Sequence, residues 1–361
     1  MKILIIHASA GAGHQKAAEA IANGIKTSTS YDVTLVDALD YTSQAYKYLY
    51  RQTYTFLISN FPQVWGIFFG LADVPLLLPL VKFIRRTQNG LNGQPLNRFL
   101  QQEQFDYIIS THFFPTEVSA YLKRTGRIRS KIITVVTDFD VHSIWLADGV
   151  DKYTAASEWT KNKLHQIGIN EDKVFVTGIP THEKFSIKRD KNETRRKLGL
   201  KENVFTVLVA TGSFGIGPIE EIIRAIDGIQ AAVVCGHNKE LFERLGKIER
   251  FYLKIFGLVN NMEELMAASD AMVTKPGGLS ICEALVSHLP MIFFNAIPGQ
   301  ETGNVSVLKE HGIGISNCSI LEIAQQLKAF QSSPAEFQKA VDRTKILAKP
   351  NAVQDIIKLI I

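Results

Sequence analysis

The chain has 361 residues, 46% hydrophobic and 21% charged, a globular composition long for one domain and comfortable for two. Its formal charge is +5, from 40 basic and 35 acidic residues, too small a surplus to argue for a nucleic-acid partner. Cys235, Cys282 and Cys318 are odd in number and widely spaced, so neither a disulfide framework nor a zinc site follows, and a reducing cytoplasm fits.

Lys2 to Ile6 reads as a buried parallel strand rather than a signal peptide, because its apolar run is short and glycine loop chemistry follows it at Gly11-Ala12-Gly13-His14. Gln15 to Ile25 then reads as a helix, with Ala17, Ala18, Ile21, Ala22 and Ile25 at core spacing. The next strand, Asp32 to Val36, ends at Asp37, which raises a rival dinucleotide-binding reading with Asp37 on a ribose. Against that reading, the glycine loop lacks the third glycine of the dinucleotide fingerprint. From spacing alone, His14 reads as a helix cap.

Tyr41 to Arg86 has a different character, with Phe61, Trp65, Phe68 and Phe69 in an aromatic and aliphatic stretch that Pro62, Pro75 and Pro79 interrupt. The prolines argue against a spanning helix, and Lys82, Arg85 and Arg86 follow directly. Apolar side chains beside a basic edge suit an anionic bilayer surface, although aromatics at helical spacing also suit a core. Phe105 to Ser110 and Lys131 to Val136 are further β-rich runs. Their polar ends, Thr111-His112 and Thr137-Asp138 with His142 beyond, are where functional loops should emerge. Lys123, Arg124, Arg127, Arg129 and Lys131 form a basic cluster, read either as a solvated helix end or as a second headgroup patch.

Val174 to Pro180 closes the first half, and the charged, helix-like stretch Phe185 to Leu200 is where a linker is expected. Val204 to Val209 opens a second doubly wound unit. Its glycine-rich loop, Gly212-Ser213-Phe214-Gly215-Ile216-Gly217, lacks the ending of a Walker loop. Ala231 to Cys235 leads to Gly236-His237-Asn238, and Leu253 to Phe256 leads to Gly257-Leu258. Ala271 to Val273 then runs into Lys275-Pro276-Gly277-Gly278-Leu279-Ser280, where main-chain N–H groups are free at a strand-to-helix turn and attract phosphate. Glu283 lies one helical turn on, within reach of ribose hydroxyls. Pro298-Gly299-Gln300-Glu301-Thr302-Gly303-Asn304 gathers sugar-binding amide and carboxylate groups between glycines. An ordinary βαβ unit with a glycine turn explains the same spacing.

The run from Lys275-Pro276-Gly277-Gly278 through Glu283-Ala284 to Pro298-Gly299-Gln300-Glu301 resembles the donor-binding half of a glycosyltransferase family. That family holds monogalactosyldiacylglycerol synthases, processive diacylglycerol glucosyltransferases and the lipid-linked N-acetylglucosaminyltransferase of peptidoglycan synthesis. The resemblance lies closer to the diacylglycerol branch, and Thr137-Asp138 with His142 and Trp145 is similar to the same branch. It implies an α/β GT-B fold with two Rossmann-like doubly wound domains facing across a cleft. These would be an acceptor and membrane domain over 1–185, a nucleotide-sugar domain over 186–345, and a terminal helix over 346–361 packing back on the first. It further implies inverting, metal-independent transfer from UDP-glucose or UDP-galactose, with no cofactor, to diacylglycerol at the inner face of the cell membrane.

In the family resembled, the loop histidine faces the cleft, and His14 is its match, with Asp138 and His142 as competitors for acid–base work. Gly212, Ser213, Phe214, Gly215, Lys275 and the turn at Gly277, Gly278, Leu279 and Ser280 would hold the diphosphate. Gly236, His237, Asn238, Phe256, Gly257 and Leu258 would line the nucleoside, Glu283 would fix the ribose, and Gln300 and Glu301 would hold sugar hydroxyls. Gly11, Gly13, Phe61, Trp65, Phe68, Phe69, Lys82, Arg85 and Arg86 would serve acceptor and membrane. The rivals are the peptidoglycan-lipid transferase, a dinucleotide-binding oxidoreductase and a non-catalytic lipid-binding module.

Overall fold

The computed structural model describes residues 1–9, 11–74, 76–77, 80–81, 92–213, 215–248, 250, 252–294, 296–316 and 318–360, with the backbone alone at 51, 54, 55, 58 and 59. Phe214, Lys82, Arg85 and Arg86 therefore lie outside the described residues. The chain forms two units. The first comprises Met1–His182, Ile297–Gly303 and Asn351–Ile361, and the second Glu183–Ala296 and Asn304–Pro350.

The first unit is built on a parallel sheet of β1 (Lys2–His7), β2 (Asp32–Asp37), β3 (Tyr107–Ser110), β4 (Lys131–Val135), β5 (Lys152–Ala155) and β6 (Val174–Val176), in the order β2-β1-β3-β4-β5-β6. Strands such as Ile3-Leu4-Ile5-Ile6 are apolar throughout because helices cover both faces of a parallel sheet. On one face Ile3, Ile5, Ile109 and Ile133 pack with Ala18, Ile21 and Ile25 of α1 (Ala12–Ser28), and Ile356, Leu359 and Ile360 of the chain terminus join them. There α1 and the terminal helix Ala352–Lys358 come so close that a Cβ on Gly24 would stand 2.3 Å from the Val353 side chain.

The aromatic stretch forms two helices, α2 (Gln44–Asn60) and α3 (Pro62–Leu71). Pro62 divides them, as the sequence predicts: it disfavours helical backbone at Phe61 before it and occupies the first turn of α3, where its missing N–H has no helical partner to lose. Phe61 serves as C-cap of one helix and N-cap of the next, at φ −135° and ψ 54°.

In the second unit β7 (Thr206–Ala210), β8 (Gln230–Val234), β9 (Leu253–Phe256), β10 (Ala271–Thr274) and β11 (Met291–Phe293) form a parallel sheet in the order β11-β10-β7-β8-β9. The stretch expected as a linker holds the helix its sequence suggests, and that helix opens this unit. Lys191–Leu198 is capped by Asp190, which accepts from the Glu193 N–H at 2.7 Å, and is ended by Gly199 at φ 71°. Its charge does not keep it in solvent: Arg195 is buried, donating to the Ala268 carbonyl at 2.8 Å and to Asp270 at 2.6 Å, so a charged helix has a packed face. The change of unit falls earlier, between His182 and Glu183.

Candidate functional site

In each sheet one strand pair marks where the winding reverses, and the loops leaving the carboxyl ends of that pair diverge to leave a crevice. In the first unit that pair is β1 and β3. The loop after β1 ends at Gly11, whose extended backbone caps α1 without a side chain, and the first turn of α1 brings Gly13 and His14 to this position. His14 Nδ1 lies 2.8 Å from the carbonyl oxygen of Thr111 and 2.9 Å from the hydroxyl of Thr137, while the Thr111 hydroxyl donates back to the His14 carbonyl at 2.8 Å. Three strand ends thus hold one imidazole. The His112 ring stands edge-on to it at 4.6 Å and the Trp145 ring lies 6.1 Å away. Burial, together with the neighbouring His7, lowers the His14 pKa to about 4 against the Thr111 hydrogen bond, and burial pushes His112 well below its usual range. Both rings are neutral near pH 7.

The other two acid–base candidates are engaged within the same unit. The Gln300 amide donates to both oxygens of Asp138, each at 3.0 Å. His142 caps a short helical turn, Nδ1 accepting from the Ile144 N–H at 3.0 Å and Nε2 lying 2.8 Å from the Phe69 carbonyl. Glu301 accepts from the Ile297 N–H at 2.7 Å. Asp37, assigned to a ribose in the oxidoreductase alternative, takes the N–H groups of Leu39 at 3.0 Å and Ser9 at 3.2 Å.

The four aromatics of α3 and its start separate into two sets. Phe61 and Phe68 are exposed, the latter 62%, with Ile67 and Leu71 beside them. Phe69 instead stacks on His142 with ring centroids 4.0 Å apart, Trp65 lies 6.0 Å from Phe69, and a Cβ on Gly299 would meet the Phe69 ring at 2.6 Å. Trp65 and Phe69 thus face the protein, because a helix laid on a surface turns every third or fourth side chain inward.

In the second unit the reversal falls between β7 and β10, so the loop of Gly212, Ser213 and Gly215 and the turn of Lys275, Gly277 and Gly278 emerge side by side. Gly212, Gly215 and Gly236 have φ of 80°, 59° and 59°, a region that favours glycine. A Cβ on Gly215 would stand 2.2 Å from the Cys235 carbonyl and one on Gly236 2.4 Å from the Ser213 carbonyl, so larger residues would force the loops apart. The His237 N–H donates to the Ser213 carbonyl at 2.8 Å and the Asn238 amide to the Gly215 carbonyl at 3.1 Å, locking the β7 and β8 loops together.

Gly277 caps the helix Gly278–Val286 without a side-chain acceptor, and no acidic residue stands in its first turn. That end presents N–H groups and the positive end of the helix dipole. Leu279 is buried, while Ser280 and Glu283 are half-buried on this helix. Phe256 ends β9, Gly257 follows it, and Leu258 is exposed. Sequence reading missed the contacts of three residues. Thr111 and Thr137 showed only as polar strand ends, and Asn304, read as one of the sugar-binding side chains, is instead fully buried with its amide on the Pro276 carbonyl at 3.1 Å, fixing the Lys275 turn from a helix farther along the chain.

Two parallel, doubly wound units with loops gathered at their reversal points define the GT-B class. Solved structures of that architecture superpose along the chain: Staphylococcus aureus MnaA with UDP, TM-score 0.64 at 14% identity over 99% of this chain and 95% of that one, and Acinetobacter baumannii MurG, TM-score 0.60 at 13% identity over 100% and 99%. The monogalactosyldiacylglycerol synthase family model matches residues 14–181, and the glycosyltransferase family 28 C-terminal domain matches 206–359. A processive diacylglycerol β-glucosyltransferase from Staphylococcus saprophyticus is 31% identical over 96% of this chain and 89% of its own, and one from Bacillus thuringiensis is 27% identical over 100% and 93%. The chain belongs to this glycosyltransferase family.

Proposed function

We propose that the protein transfers a hexose, glucose or galactose, from a UDP-sugar to the hydroxyl of diacylglycerol, inverting the anomeric carbon. The observation that carries this reading is the 31% identity along 96% of the chain to a relative named for glucosyl transfer to diacylglycerol. The sites fit it. His14 is neutral near pH 7, as a general base must be, and it stands where the first sheet reverses. The acceptor hydroxyl gives its proton to His14 as its oxygen bonds to the anomeric carbon, and the bond to the diphosphate breaks with its electron pair leaving on UDP. Lys275, Ser213 and the main-chain N–H groups of Gly212 and Gly278 would meet that charge without a metal, and Glu283 would hold the ribose.

The exposed apolar side of α2 and α3, with Tyr48, Phe56, Phe61, Ile67 and Phe68, supports peripheral attachment to the lipid that carries the acceptor. Among the described residues no helix is long and apolar enough to cross a membrane. Radiolabelled UDP-glucose and UDP-galactose, each offered with diacylglycerol vesicles, test the reading. Labelled glycolipid is expected from one donor, with turnover cut by a factor on the order of 10² to 10⁴ in His14→Ala and UDP affinity little changed. No labelled lipid from either donor overturns it.

A further inference from the structure

We infer that Thr137 is the positioning residue of the His14 base, and that the Thr111 carbonyl selects the tautomer that can act. A carbonyl oxygen can only accept, so the 2.8 Å contact to Thr111 requires that His14 Nδ1 carry the hydrogen. The lone pair then resides on Nε2. Thr137, buried and 2.9 Å from the same Nδ1, takes the other share of that N–H through its oxygen and fixes the plane of the ring. Were the Thr137 hydroxyl to donate to Nδ1 instead, Nε2 would be protonated and His14 could accept no proton there.

The arrangement differs from a histidine held by a carboxylate. Asp138, the residue next to Thr137, is engaged by Gln300, and the hydrogen-bond partners of His14 are a carbonyl and a hydroxyl, both uncharged. His7 and His112 are the titratable groups whose charge bears on it, and both would oppose its protonation. Burial therefore holds the base neutral well into acid, against the Thr111 hydrogen bond, and the groups hydrogen-bonded to the ring carry no negative charge to retain the proton of the imidazolium formed during transfer.

This inference rests on the proposed transfer to diacylglycerol for its kinetic consequence, but the tautomer can be read without turnover. Long-range ¹H–¹⁵N NMR of the whole protein labelled at histidine should show His14 as the Nδ1–H form at pH 7, and finding Nε2–H overturns the inference. Thr137→Val should lower kcat roughly tenfold or more with KM for both substrates within about twofold, and Thr137→Ser should restore most of the loss. Wild-type kcat in a folded Thr137→Val protein also overturns it. If the wild type makes no glycolipid yet His14 is the Nδ1–H form, the proposed function falls and the assignment of the imidazole stands.

Discussion

A carboxylate one turn into a helix can be a ligand group or a solvated side chain, and spacing does not separate the two. Glu283 follows Gly277 and Gly278 on a helix whose N-terminus no side chain caps, at the reversal of the second sheet. A charged hydrogen bond to a ribose hydroxyl contributes roughly 1.5–3 kcal/mol, so Glu283→Gln should weaken UDP binding about tenfold or more with the melting temperature unchanged. Calorimetry giving wild-type UDP affinity would remove Glu283 from the ribose. His14 needed the fold. Its type and its glycine loop were readable from the chain, whereas its neutrality comes from burial, and its orientation from carbonyl and hydroxyl groups about 100 positions away, near in space alone.

Among the elements, α3 carries the sharpest division, because one ten-residue helix presents Phe68 to solvent and Phe69 to His142. Composition alone treated these aromatics as one surface. The exposed set can enter a bilayer interface at little cost to the fold, while the inward set contributes packing. Phe61→Ser with Phe68→Ser should therefore reduce sedimentation with anionic vesicles and leave thermal stability within about 0.5 kcal/mol per site. Vesicle binding equal to wild type would count against an interfacial role for α3.

At the scale of the molecule, the chain returns to where it began. Asn351–Ile361 belongs to the first unit, with Val353 against Gly24 and Ile356 fully buried beside α1 and the sheet. Cutting Ile356 to Ala leaves a cavity that should cost about 2–5 kcal/mol, although the residue lies near the end of the chain. Urea denaturation should report that loss, and a change under about 0.5 kcal/mol would show the terminal segment to be dispensable to the first unit.

The sequence by itself determined the two doubly wound units, their glycine loops and the family, because apolar strands, helical periodicity and turn glycines are local signals that short-range sterics impose. It also placed His14 and the Lys275 turn at strand-to-helix junctions. Only the tertiary structure decided which polar groups meet. It set Thr111 and Thr137 on His14, Gln300 on Asp138 and Asn304 on the Pro276 carbonyl, pairings between 28 and 162 positions apart. It also assigned the charged helix Lys191–Leu198 to the body of the second unit, since burial of Arg195 depends on the Ala268 carbonyl and the Asp270 carboxylate brought to it by the sheet. Such contacts arise from strand order, which no local pattern records.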